Sequence, residues 1–167
     1  MPPPIAAAAA HDVAYRPVRT PDDVPFLYAV YASTRAEEVA AAGWPEEAQR
    51  AFLAQQADAQ HRHYVHHYPD AEWLVIQRGG QPVGRLYLEE WKDQIRIIDI
   101  ALLPEARGSG IGGAILTDMC GLARSRNKRL SIHVEKNNPA MRLYCRLGFA
   151  RVEDKGVYDL MEWDPGG

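Results

Sequence analysis

The stretch that decides the reading of this chain is RGSGIGG, Arg107 to Gly113. Taken literally, Gly108-x-Gly110-x-x-Gly113 is the glycine pattern of a dinucleotide-binding turn. The β-like segment LSIHVE ends in Glu135, close to where such a turn wants its ribose-binding acid. The setting argues against that reading. A dinucleotide turn begins at the very end of its strand, whereas Pro104-Glu105-Ala106-Arg107 separates Gly108 from the apolar run before it. That run follows an antiparallel hairpin instead of heading a βαβ series, and the chain after Gly113 is too short for a doubly wound sheet plus a substrate domain. A nucleoside-triphosphate loop would need a Gly-Lys-Ser/Thr ending, which is missing. A phosphate still fits the physics: glycines let backbone N–H groups approach an anion, the following helix adds its dipole, and Arg107 adds a fixed charge. On these residues alone, a plain turn into a helix is the competing reading.

Working outward, QIRIIDIALL (Gln94–Leu103) before the loop is the richest β segment, and IGGAILTDMCGLARSR after it is an amphipathic helix with Ile115, Met119 and Leu122 on one face. Upstream, EWLVIQR and QPVGRLYLEE flank Gly79-Gly80 as a hairpin. VAYRPVR (Val13–Arg19) reads as a first strand. Two helices follow, one opened by Thr20, Pro21 and Asp23, the other starting at Pro45 and running to Gln60 or beyond. Downstream, RLSIHVE is a strand, NNPAMRLYCRLGF a helix capped by Asn138 with Pro139 at its first position and Gly148 as its stop, and ARVEDKGVYDLMEWD a closing hairpin. The order β-α-α-β-β-β-α-β-α-β-β gives one α/β domain over 13–167, preceded by a disordered tail over 1–12.

Composition excludes several classes. At 167 residues the chain can bury a real core, and 25% charged with 47% hydrophobic residues is ordinary for a soluble globular protein. A net charge of −3 gives no basic face for nucleic acid or an anionic membrane surface. No apolar run approaches the ~18 residues of a membrane span, and the N-terminus has no signal-peptide pattern. Cys120 and Cys145 form neither a disulfide framework nor a zinc spacing, which fits a reducing cytoplasm.

The glycine loop and the late helix together resemble the GNAT superfamily of N-acetyltransferases. Its acyl-CoA signature, Gln/Arg-x-x-Gly-x-Gly/Ala, is matched by Arg107-Gly108-Ser109-Gly110-Ile111-Gly112 after IDIALLPEA. Its Asn-led turn into a helix with Tyr-x-x-x-Gly-Phe is matched by NPAMRLYCRLGF. The likeness is sharpest from Ile95 to Phe149. In the N-terminal half only the element order matches. On this reading the dinucleotide pattern and Glu135 are coincidental. The resemblance implies a mixed, mostly antiparallel sheet of about six to seven strands flanked by about four helices. It implies acetyl-CoA as co-substrate, no metal, a small-molecule or peptide amine as acceptor, and compatibility with a homodimer. The cofactor pyrophosphate would lie on the amides of Arg107, Gly108, Ser109, Gly110, Ile111, Gly112 and Gly113. The pantetheine arm would pair with the backbone of Ala101, Leu102 and Leu103, where the flanking strands splay.

Tyr144 by spacing alone is a core residue, sharing a helical face with Ala140 and Leu147. The resemblance makes it the general acid, since a phenol of pKa ~10 can protonate a thiolate of reference pKa ~8.5. Asn138 is either the helix cap alone or a cap that also touches the cofactor. Alternation in IRIIDIALL places Asp99 with Ile95, Ile97, Ala101 and Leu103, so it is either half of a structural salt bridge or a general base that takes a proton from an amine of pKa ~10.4. Glu89, Glu90 or a water chain are the other bases open. HRHYVHH (His61–His67) reads as a solvated helix end in preference to a metal site. Trp44, Phe52, Tyr28 and Tyr31 are expected as core and acceptor-pocket lining. Neither cysteine stands where a nucleophile is expected, so the implied chemistry is direct acetyl transfer to a primary amine in a ternary complex. A non-catalytic acyl-CoA-binding module and an acyltransferase with a different donor are the alternatives.

Overall fold

The structure, a computed structural model, describes residues 6–166. Seven strands form one sheet in the order β1-β2-β3-β4-β5-β7-β6. They are β1 (Val13–Pro17), β2 (Glu72–Arg78), β3 (Gln81–Glu90), β4 (Gln94–Leu102), β5 (Arg129–Glu135), β6 (Ala150–Asp154) and β7 (Tyr158–Trp163). Neighbours are antiparallel except β4 and β5, which run parallel and are joined by the crossover helix. The helices are α1 (Ala6–Ala9), α2 (Val24–Ala41), α3 (Glu46–His67), α4 (Ile111–Arg126) and α5 (Met141–Arg146).

Strand alternation sorts the side chains into two layers. Leu74, Ile76, Leu86, Leu88, Ile95, Ile97, Leu130 and Ile132 point to one face, where they meet Ile111, Ile115, Leu116 and Met119 of α4 and Tyr144 of α5. Each such side chain contributes ~1.5–3 kcal/mol by leaving water. The other face carries Arg85, Tyr87 and Asp99, against which α3 lays Gln60 and Tyr64. Asp99 reaches that face through a break in register: Tyr87 pairs with Asp99, but Leu88 pairs with Ile97, so β4 carries one extra residue. The sequence reading, which grouped Asp99 with Ile95 and Ile97, is corrected here. The bulge inverts the alternation between Ile97 and Asp99, leaving the isoleucines in the core and the acid on the opposite side. Gly84 permits the close strand approach just beyond, because a Cβ there would sit 2.3 Å from the Ala101 carbonyl oxygen.

Three further boundaries differ from the sequence reading. The tail expected over residues 1–12 is folded where it is described, and residues 1–5 lie outside the described residues. Ala8 is fully buried, and the Asp118 carboxylate on α4 accepts the Ala7 and Ala8 amides, each at 2.9 Å. Helix α2 starts at Val24 instead of at the Thr20 cap, and Asp23 at its N-cap makes no side-chain cap bond. Its carboxylate instead takes Arg16 through two bonds, at 2.7 and 2.8 Å, and the Arg19 amide at 2.7 Å. Helix α5 starts at Met141, with Asn138 Oδ1 accepting the Ala140 amide ahead of it.

The Arg16 hydrogen bonds hold the Asp23 carboxyl down at about 2, below the ~3.9 of an unfolded chain. Its stabilisation is therefore complete above pH ~4 and is lost as the pH falls toward 2. Asp23→Asn is expected to cost about 1–2 kcal/mol at neutral pH and to flatten the stability curve across that acid window. Chemical denaturation at pH 7 and pH 3 checks both.

Candidate functional site

Strands β4 and β5 pair only through Gln94↔Arg129, Ile95↔Leu130, Arg96↔Ser131 and Ile97↔Ile132. Beyond that point the β5-facing edge of β4, Ile98 to Leu102, has no strand partner. The chain leaves β4 through a short turn at Pro104–Ala106 and enters the glycine loop, where Gly108 (φ +73°) and Gly110 (φ +85°) adopt the left-handed conformation that side chains resist. Gly110 is the N-terminal cap of α4. Among the described residues, the backbone amides of Gly108 to Gly113 donate to no protein carbonyl, the first such bond being Ala114 N–H to Gly110. Unpaired amides at the start of a sixteen-residue helix, beside an open strand edge, fit an extended ligand bearing phosphate.

Two expected contributors are already engaged. Arg107 donates from Nε to the Leu102 carbonyl at 2.9 Å and from Nη2 to Ser33 Oγ on α2 at 3.2 Å, so its guanidinium ties β4 to α2. The Leu103 amide donates to the Val83 carbonyl at 2.8 Å, which commits it to β3. The β5-facing edge of β4 past Ile97, with its Leu102 carbonyl already taken by Arg107, is what remains for a ligand.

Tyr144 on α5 is buried, its ring set edge-on to Phe149 with centroids 5.4 Å apart. Burial, and then the charge of Asp99, raise its phenol well above the ordinary tyrosine range, so it keeps its proton. Asp99 Oδ2 accepts Arg85 Nη2 at 2.7 Å and the Tyr64 hydroxyl at 3.1 Å. Arg85 also reaches Gln60 Oε1 at 2.8 Å, and its buried Nε has no partner. Burial and the Asp99 charge raise Tyr64 as well. Asp99 is thus bonded to Tyr64 and Arg85 on the face of the sheet away from Tyr144. Of the other acids considered as bases, Glu89 accepts the Asp70 amide and Trp91 Nε1, and Glu90 pairs with Arg126 and Lys128.

A cavity of about 440 Å³ opens at the end of β5, lined by Arg35, Glu38, Glu135, Lys136, Asn137, Val157 and Tyr158. Arg35 spans it to Glu135 at 2.8 Å. The sequence does not single out Arg85 and Tyr64, which the structure places on Asp99, or Arg35 and Tyr158, which line the cavity. The one available signal was Arg85 alternating with Tyr87 and Glu89 in a strand otherwise apolar. Of the aromatics expected as core or lining, Tyr31 is buried, whereas Trp44 and Phe52 pack against each other on the surface with centroids 5.3 Å apart. The four histidines fall on the last two turns of α3, with the His63 and His67 rings 4.0 Å apart. No three His, Cys, Asp or Glu side chains among the described residues are grouped to hold a metal. No helix among them is long and apolar enough to cross a membrane. Burial raises the Cys120 thiol to about 11, which suppresses its thiolate, while Cys145 is exposed beside Tyr144.

Comparison with known proteins gives concordant matches. The model of the acetyltransferase (GNAT) family matches residues 27–149. A candidate ribosomal protein bS18-alanine N-acetyltransferase of Bacillus subtilis (strain 168) is 33% identical over 82 residues, which is 48% of this chain and 54% of that protein. The match therefore spans about half the length of that curated relative. The PaiA N-acetyltransferase of Thermoplasma acidophilum, solved in complex with coenzyme A, superposes with a TM-score of 0.66 at 15% identity, over 91% of this chain and 98% of the other. A GNAT family acetyltransferase of Elizabethkingia anophelis with acetyl-CoA bound gives a TM-score of 0.58 at 16% identity, over 92% and 98%. At such identities the structural likeness is one of fold.

Proposed function

The chain belongs to the GNAT acetyltransferase family, and from that premise we propose that residues 13–167 act as a single domain transferring an acetyl group from acetyl-CoA to a primary amine by direct attack in a ternary complex. The observation that carries the reading is the break in the β4–β5 ladder beside the unpaired amides of the glycine loop. In this reading the amides of Gly108 to Gly113 hold the pyrophosphate, and the β5-facing edge of β4 past Ile97 aligns the pantetheine arm. Asn138, whose Oδ1 is used in the cap, has its amide group left for a cofactor contact. When bound, acetyl-CoA supplies the thioester that the amine attacks.

Tyr144 hands its proton to the departing thiolate. A phenol raised by burial is protonated at any working pH, so the proton is in place to hydrogen-bond the departing thiolate, and the same rise makes this phenol a weaker acid than an ordinary tyrosine. Asp99 takes the proton from the amine through its second oxygen, Oδ1, which accepts no hydrogen bond among the described residues. Arg85 and Tyr64 hold Oδ2 and so fix the orientation of that oxygen. The suppressed thiolate of Cys120 supports direct transfer over a covalent acyl-enzyme.

The acceptor side is the cavity at the end of β5. Its mixed charge, from Arg35 and Lys136 with Glu38 and Glu135, suits an amine whose surroundings are themselves polar. The Bacillus subtilis relative is named for the alanine of a ribosomal protein, so a peptide α-amine belongs in the first screen beside polyamines, amino acids and amine antibiotics. The test is release of free CoA from acetyl-CoA across that panel, with acetylated product confirmed by mass. At least one class should turn over. Tight acetyl-CoA binding with no turnover on any amine would sink the enzymatic reading and leave a binding module.

A further inference from the structure

The N-terminal arm, residues 6–12, has no role in the site so far described, yet it is pinned at both ends against it. On one side of His11, Ala8 is fully buried and its amide, with that of Ala7, is taken by the Asp118 carboxylate, itself almost wholly buried on α4. On the other side the Asp12 carbonyl accepts the Gly79 amide at 3.0 Å, from the turn between β2 and β3. The His11 amide closes the arm on itself by donating to the Ala8 carbonyl at 2.9 Å. A buried carboxylate loses much hydration, and among the described residues its hydrogen-bond donors are the two arm amides. The arm is therefore anchored to α4, the helix that begins at the glycine loop.

Between those anchors the His11 imidazole lies over Gly110. A Cβ placed on Gly110 would stand 3.3 Å from Cε1 and 3.8 Å from Nε2 of the ring. His11 is solvent-exposed. An imidazole nitrogen can donate a hydrogen bond, and an anion accepting from the first amides of α4 would sit ~3 Å from them, at the helix end that the ring overlies. We propose that the arm is part of the cofactor site and that His11 donates a hydrogen bond to a phosphate oxygen of the acyl donor seated on the Gly108–Gly113 amides. The proposal rests on the reading of that loop as the phosphate cradle. It adds a binding residue from outside the segment Ile95–Phe149, which carries the family resemblance.

The test is equilibrium binding by calorimetry with the full chain, using CoA, 3′-dephospho-CoA and acetyl-pantetheine. His11→Ala is expected to weaken CoA about tenfold while leaving acetyl-pantetheine, which has no phosphate, within twofold. His11→Gln, which keeps an N–H donor, should recover part of the loss. An equal loss with CoA and 3′-dephospho-CoA assigns the contact to the pyrophosphate. A loss confined to CoA assigns it to the 3′-phosphate, and either result supports a phosphate contact. Unchanged or tighter CoA binding overturns the proposal, the latter marking the arm as an obstacle. An equal loss across all three ligands also overturns it, because the arm would then act only through the fold. Asp118→Asn, which loosens the anchor, should mimic His11→Ala. If that variant fails to fold, His11→Ala decides alone. A parent chain that binds no CoA would be a failure of the loop reading itself, distinct from a parent that binds CoA normally with His11 indifferent.

Discussion

Tyr144→Phe is expected to lose ~10²-fold or more in turnover, the usual contribution of a positioned proton donor, while acetyl-CoA affinity stays within about twofold. The substitution removes one hydroxyl and keeps the ring against Phe149, so packing of α5 on the sheet survives. If Tyr144 were only a core residue, activity would hold and any change would appear in stability. A phenol buried this deeply and raised by burial and by Asp99 cannot act as a base near neutrality, so the pH profile of the parent should show no tyrosine ionisation on its alkaline side. The loss should shrink with acyl donors whose thiol is more acidic, because a better leaving group needs the proton less. Steady-state kinetics on the acceptor found by the amine screen, with two donors of different thiol acidity, make the measurement. Near-normal turnover in the variant would remove Tyr144 from the chemistry.

Gly110→Asp is expected to abolish detectable CoA binding in a folded protein. The residue caps α4 at φ +85°, where Asp is among the less strained substitutions. The unpaired amides around it favour an anion, and a carboxylate placed there competes with and repels the phosphate. Gly110→Ala separates the causes: it brings the strain and the 3.3 Å approach to His11 without the charge, and should retain measurable binding. Circular dichroism and a melt establish folding, and calorimetry establishes affinity. Unchanged affinity in the aspartate variant would show that the cradle lies elsewhere.

What the sequence disclosed about these positions follows from the range of the interactions involved. The glycine loop, the α4 stripe and the Tyr144 helix are local patterns, written within a turn or two of chain, and they were legible. The bulge in β4 was not. An extra residue between Ile97 and Asp99 leaves no mark in an apolar run, yet it reverses the side on which Asp99 stands. The partners of Asp99 were hidden for a related reason: Tyr64 lies 35 residues away and Arg85 14, so neither pairing has a spacing rule. The arm misled in the opposite direction. An alanine run flanked by prolines looks unstructured by itself, and only the distant carboxylate of Asp118 gives it a place.

The parting of β4 and β5 also has a mechanical meaning. The sheet is two leaves, β1 to β4 and β5 to β7, stitched by four residue pairs from Gln94↔Arg129 to Ile97↔Ile132, with α4 as the strap between them. Such a seam is the natural fault line of the molecule. Amides just past Ile97 and Ile132 lie where the two leaves can breathe apart without breaking either one. A ligand laid along the free edge of β4 and anchored on α4 acts as a rivet across that fault. In the proposed reading, an acyl donor seated in the cleft would add contacts across the seam that four residue pairs otherwise hold.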